Sequence, residues 1–117
     1  MTKRWFVSII PLLGVVMSYI FDWDEDKNRI NYQKHGITFE EASTVFDDEN
    51  LEILPDEDHS NDEERFLAIG YSAGLVYQPR LLLVCHCYRM NDTIIRLISA
   101  RRPSKHERKN YEERSSM

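Results

Sequence analysis

Two cysteines in 117 residues cannot build a disulfide framework, so the bulk of the chain reads as an intracellular domain. Glycine is scarce, with four residues, and no Gly-rich phosphate loop or nucleophile elbow is present. Nor is there an apolar run of the ~20 residues that a membrane-spanning helix needs. Between residues 47 and 64 there is no Lys or Arg, against ten carboxylates. That segment also lacks glycine and the Asp-x-Asp-x-Asp-Gly pattern, which excludes a calcium loop of the usual kind. What is present is 42% hydrophobic and 11% aromatic residues, enough to bury one core in a chain of single-domain length.

The formal net charge of −5 argues at first against a nucleic-acid partner, but its distribution does not. The segment 47–64 carries more than the whole acidic excess, while residues from 96 onward hold seven basic and three acidic side chains. The C-terminal third is therefore basic, and the acidic segment offers a surface to a basic partner.

Trp5 to Val16 is nearly all apolar behind Lys3 and Arg4. Three readings are open: an upstream extension with Met17 as the start, a signal peptide, or a membrane anchor at residues 5–16. The first is favoured. Residues 1–18 are expected to lie outside the fold and residues 19–114 to form a single domain.

From there the pattern is regular. Tyr19–Trp23 reads as a strand, Asp24 caps a helix to about His35, and Gly36 ends it. Thr38 and Glu41 form a capping-box pattern before a second helix, with Phe39, Ala42, Val45 and Phe46 on its apolar face. Strands follow at 51–54, 65–71, 81–88 and 94–100, with a polar loop over 56–62 and turns at 72–74 and 90–92. Ser104 and Glu107 open a last helix toward Arg114. The expected class is α+β, an antiparallel sheet with the two N-terminal helices and the short C-terminal helix grouped on one face.

Cys85-His86-Cys87 invites a metal reading, but strand alternation turns the two thiols one way and the imidazole the other, which closes no tetrahedral site. Two small cysteines on a buried strand fit better. The basic residues say more. Lys27, Asn31 and Lys34 fall on one helix face, with His35 at its end, and Arg65, Arg96, Arg101 and Arg102 stand on or beside strands. Cleaving RNA without a metal needs a base for the ribose 2′-hydroxyl, cations around the phosphorane and an acid for the leaving 5′-oxygen. His35 titrates in the right range, and Arg suits phosphate. The plainer readings are a solvated helix face for the lysines, helix capping for His35 and for Glu41. Alternation also sets Arg96 with Ala100 on one face and Arg101 with Leu97 on the other, so both reach one phosphate only if Arg101 lies past the strand end.

The pattern Phe21-x-Trp-Asp24-x-x-Lys27-x-x-x-Asn31-x-x-Lys34-His35-Gly36-x-x-Phe39-x-Glu41-Ala42-x-x-x-Phe46-x-Asp48 resembles the BrnT family of toxins. Glu64-Arg65-Phe66, Ile69-Gly70, Arg96-Leu97-Ile98-Ser99-Ala100-Arg101 and Glu107-x-x-x-Tyr111 agree with it, so the likeness covers about residues 19–113. The resemblance implies a RelE-like fold and a type II toxin–antitoxin ribonuclease that cleaves RNA without a metal or cofactor, inhibiting translation in the cytoplasm. It implies Lys34, His35, Arg65, Arg96 and Arg101 as catalytic residues, with Lys27, Asn31 and Arg102 binding RNA. It further implies a BrnA-type antitoxin, contact with operator DNA only through the antitoxin complex, and room for toxin dimerisation within it. The family shows no apolar leader, so residues 1–18 depart from its pattern. A non-catalytic RNA-binding or regulatory member of the same fold is the alternative.

Overall fold

The computed structural model describes residues 3–12, 15–59, 63–74 and 78–116, those before residue 19 by their backbone alone. In chain order the elements are β1 (Lys3–Leu12), β2 (Val15–Asp24), α1 (Glu25–His35), α2 (Phe39–Ser43), a 3-10 turn (Thr44–Asp47) and β3 (Glu52–Pro55). A second 3-10 turn (Glu57–His59), β4 (Phe66–Tyr71), β5 (Leu81–Arg89), β6 (Ile94–Arg101) and α3 (Lys105–Ser115) complete the chain. The strands form one six-stranded sheet in the order β1-β2-β6-β5-β4-β3. Residues 60–62 of the expected polar loop lie outside the described residues.

The α+β class holds, but two expectations need correcting. First, the sheet is mixed rather than antiparallel, because β2 runs parallel to β6, with Asp22 opposite Arg96. The strands β3 to β6 pair antiparallel in succession, and those reversals return the chain at β6 in the direction of β2. The backbone of residues 3–12 pairs antiparallel with β2, Lys3 opposite Asp24 and Leu12 opposite Val15. Val, Ile and Trp favour such extended backbone. Second, the helices are not on one face. Tyr111 of α3 packs with Ile69 and Leu81, which alternate away from Ala68, Leu82 and Val84 beneath α2.

The main core joins Phe21 and Trp23 of β2 to Phe39, Ala42, Val45 and Phe46, with Leu82, Val84, Ile95, Leu97 and Ala100. β5 is covered on both sides, which is why Leu81 to Cys87 is a continuous buried run rather than an alternating one. The cap signals are in place. The Asp24 side chain accepts from the Asp26 amide, and Gly36 adopts φ 69° where its N–H closes on the Tyr32 carbonyl. Ser104 and Glu107 form a complete capping box. At Thr38 only half of one forms, since Glu41 turns its carboxylate elsewhere. The expected second helix tightens after Ser43, where the Ser43 and Thr44 hydroxyls bond the Glu40 and Glu41 carbonyls. Its four apolar residues are buried nonetheless.

Candidate active site

One extra residue in β6 decides which side chains meet. Cys85 pairs with Ser99, yet the next residue of β5, His86, pairs with Leu97. Ile98 is therefore a β-bulge, and the alternation of β6 changes phase across it. Before the bulge Arg96 stands opposite Cys87, and after it Arg101 stands opposite Leu83. Directly opposed residues share a face, so both arginines project from the side that α3 covers. This corrects the expectation that unbroken alternation would part them. Leu97 and Ala100 go together into the core.

Arg65 joins the same face. It precedes Phe66, which pairs with His86, so alternation sets Arg65 on the side of Cys85 and Cys87. Its backbone carbonyl accepts from the Asp56 amide at 2.8 Å, which continues the β3–β4 pairing by one step. Arg65, before β4, and Arg96 and Arg101, both on β6, thus stand on one face of the sheet.

Each arginine has a carboxylate beside it, and the three pairings differ. Arg101 is the most engaged: its Nη1 and Nη2 donate to the two Glu107 oxygens at 2.9 and 3.0 Å, and Nη1 also reaches the Arg102 carbonyl. That fork holds the Glu107 carboxyl down to about 2. Arg65 Nε lies 3.9 Å from Glu63, whose other oxygen takes Arg89 at 2.8 Å. Arg96 donates from Nη1 to Asp22 Oδ2 at 3.3 Å, which leaves most of the five guanidinium donors to face a ligand. Asp22 is 3% exposed, and its Oδ1 has no hydrogen-bond partner among the described residues.

The thiols between these arginines are free and buried. Burial pushes Cys85 up to about 11, with the Asp56 carboxylate adding to the rise and Arg65 opposing it. Cys87 is raised for the same first reason, with Glu63 contributing. Neither is poised as a thiolate nucleophile. His86 projects from the opposite face into the aromatic cluster of Phe46, Phe66 and Tyr88.

Lys34 and His35 do not join the arginine face. They are exposed in the last turn of α1, beside the helix-ending Gly36. A cleft of about 400 Å³ opens there, lined by Tyr32, Gly36, Gln78, Pro79, Arg80 and Arg102. Arg80 stitches its wall, donating from Nε and Nη2 to Glu41 at 2.8 and 2.6 Å and from Nη2 to the Gly36 carbonyl at 2.8 Å. Burial raises the Glu41 carboxyl, but Arg80, Ser72 and Arg102 outweigh it and hold it below the ordinary range. Lys27 is exposed in the first turn of α1.

Asn31 is not on that solvated face. It is 6% exposed, and its amide donates to the carbonyls of Ile37 at 3.0 Å and Ala100 at 2.9 Å while accepting from the Ala100 N–H at 3.0 Å. The pairing of β2 with β6 ends at Arg96, and farther along β6 the Asn31 amide serves Ala100 as a neighbouring strand would. The partners observed for Asn31 are backbone groups of Ile37 and Ala100. The residues that sequence reasoning passed over are Asp22 and Arg80. Asp22 carried a signal, being the one acidic residue between Phe21 and Trp23 and so bound to face away from them. Arg80 carried none, since nothing in its spacing ties it to Glu41, 39 positions earlier.

A model of the family described as ribonuclease toxin, BrnT, of type II toxin-antitoxin system matches residues 23–107. The chain belongs to the BrnT family. Type II systems pair a toxin with a protein antitoxin, so BrnT membership implies such a partner here. The BrnT match takes in Lys27, Lys34, His35, Arg65, Arg96, Arg101 and Arg102, and begins after β1 and most of β2. No curated protein matches the chain. No helix among the described residues is long and apolar enough to cross a membrane.

Proposed function

We propose that this BrnT-family chain is a growth-inhibiting, cytoplasmic endoribonuclease that needs no metal and is neutralised by a BrnA-type antitoxin. The bulge at Ile98 carries this reading, because it turns Arg96 and Arg101 toward the face that also holds Arg65. Three guanidinium groups on one face suit a phosphate whose charge grows as the ribose 2′-oxygen attacks phosphorus and the 5′-oxygen leaves. Arg96 is the principal phosphate contact, with one donor committed to Asp22 and more of its donors open than those of Arg101. Arg65 and Arg101 support it. Lys34 and His35 act in proton transfer or substrate binding, and their place at the end of α1 favours holding the flanking strand together with Lys27 and Arg102. The working unit is residues 19–114 in a RelE-like fold, with β1 dispensable. Operator DNA is contacted only through the antitoxin complex, in which toxin dimers are accommodated.

Expressing the chain with and without its antitoxin tests the reading. RNA cleavage and growth arrest without the antitoxin are expected, and Arg96→Ala lowers the cleavage rate by about 10²-fold. Intact RNA, or an Arg96→Ala protein as active as the wild type, refutes it. A second reading draws on the carboxylates beside all three arginines and on the place of Lys34 and His35 on α1 rather than on the sheet. On that reading the chain is a regulatory module that binds RNA without cutting it. Salt-dependent RNA binding with no product would decide for it.

A further inference from the structure

The acidic segment and the free sheet edge coincide. Among the described residues β3 ends the sheet on the side away from β1, pairing with β4 alone. Its backbone groups on the outer side have no strand neighbour among those residues, and such an edge is a template for another extended chain. Ile53 and Leu54 on β3 are 41% and 42% exposed, and Tyr71 on the adjacent strand is 38% exposed. Ile53 and Leu54 are thus two of the six large exposed apolar side chains among the described residues. They point both ways: Ile53 pairs with Ala68 on the side of α2, and Leu54 pairs with Leu67 on the side of α3. An added strand could set side chains against both.

Charge narrows the occupant. Residues 47–64 carry ten carboxylates and no Lys or Arg, and Glu49, Glu57 and Asp58 are exposed beside β3. A second copy of this chain pairing edge to edge would bring two such runs together, so self-pairing is opposed. RNA is opposed for the same reason. We propose that the β3 edge, from Glu52 to Leu54, receives an extended segment of the protein partner that alternates Lys or Arg with β-branched apolar residues. Backbone hydrogen bonds give the pairing, Ile53 and Leu54 give contact area, and the carboxylates give orientation and salt sensitivity. The identification of that partner with the antitoxin rests on the toxin–antitoxin reading; the chemistry of the edge does not.

The test uses the full chain, a short peptide alternating Lys with Val, and its Glu–Val counterpart. The Lys–Val peptide should slow amide hydrogen exchange in residues 52–54, and its affinity should fall with added salt. The double variant Ile53→Lys, Leu54→Lys, both at exposed positions, should weaken it about tenfold, read as a shift in Kd. Equal binding of the Glu–Val peptide, protection on another element, or no binding at all would overturn the proposal. So would self-association of the free protein that the double variant abolishes. RNA cleavage by the double variant is measured in parallel. Loss of peptide binding with intact cleavage fits this surface, whereas a wild type that binds the peptide but never cuts RNA sinks only the nuclease reading.

Discussion

Replacing Asn31 by Ala tests whether this side chain is a brace or an RNA contact. The substitution deletes three buried hydrogen bonds and strands the N–H and C=O of Ala100 and the C=O of Ile37. A hydrogen bond of this kind contributes about 0.5–1.5 kcal/mol net, and a buried group left without a partner costs at least as much, so the loss should be about 3 kcal/mol. With a urea dependence of about 2 kcal/mol/M, the unfolding midpoint should fall by about 1.5 M at unchanged slope. The Ala100 amide, held by Asn31 alone on that side, should exchange with solvent faster than its β6 neighbours. Asn31→Asp sharpens the test. A carboxylate can still accept from the Ala100 N–H, but it faces two carbonyl oxygens to which it cannot donate. It should therefore be no better than Ala at neutral pH and should recover on acidification. A stability loss below about 1 kcal/mol, accompanied by a fall in RNA affinity, would refute the brace and restore the RNA contact.

His86 sets a pH dependence. Burial lowers it to about 4 from the ordinary 6.5, so the fold holds it neutral while the unfolded chain protonates it sooner. Its contribution is complete above about pH 6.5 and is lost as pH falls from there toward 4. Urea midpoints across that range should drop more steeply for the wild type than for His86→Gln, and parallel curves would refute the assignment. Gly70→Ala should destabilise by about 1–3 kcal/mol, read in thermal unfolding. Its new Cβ would lie 3.1 Å from the Val45 carbonyl and 3.2 Å from Asp48, and a neutral result would mean that the turn yields. Cys85, pushed up to about 11, should resist thiol reagents at pH 8 in the folded protein and react on addition of urea. Rapid reaction without denaturant would show that its cover opens readily.

Local signals account for most of what the sequence made legible. Asp24, Gly36 and Ser104 act through backbone groups within a few residues, so the α1 and α3 boundaries could be read directly. The Phe39, Ala42, Val45 and Phe46 stripe likewise survived the change from α-helix to 3-10 turn, because both forms bury it. What was not legible depends on segments distant in sequence. The parallel step between β2 and β6 follows from the path of the whole chain, and α3 chose its face by where Tyr111 meets Leu81. The site was legible in part for the same reason. Residue types and the family pattern pointed to Arg65, Arg96 and Arg101, but spacing argued against Arg96 and Arg101 acting together. Asn31 looked solvated on a helix net because its partners, Ala100 on β6 and Ile37 past the end of α1, lie outside the helix.

The bulge at Ile98 makes the distance along the chain between Arg96 and Arg101 a matter of reading frame. Removing Ile98 would change no charge and no functional group. It would restore plain alternation, with Ala100 still opposite Val84 and Arg101 still opposite Leu83. What would part the two arginines is drawing Ile98 into the ladder at unchanged chain length, which would slip Arg101 to a place opposite Leu82 and turn it toward the aliphatic layer. The extra residue thus offsets the odd separation of Arg96 and Arg101 along the strand.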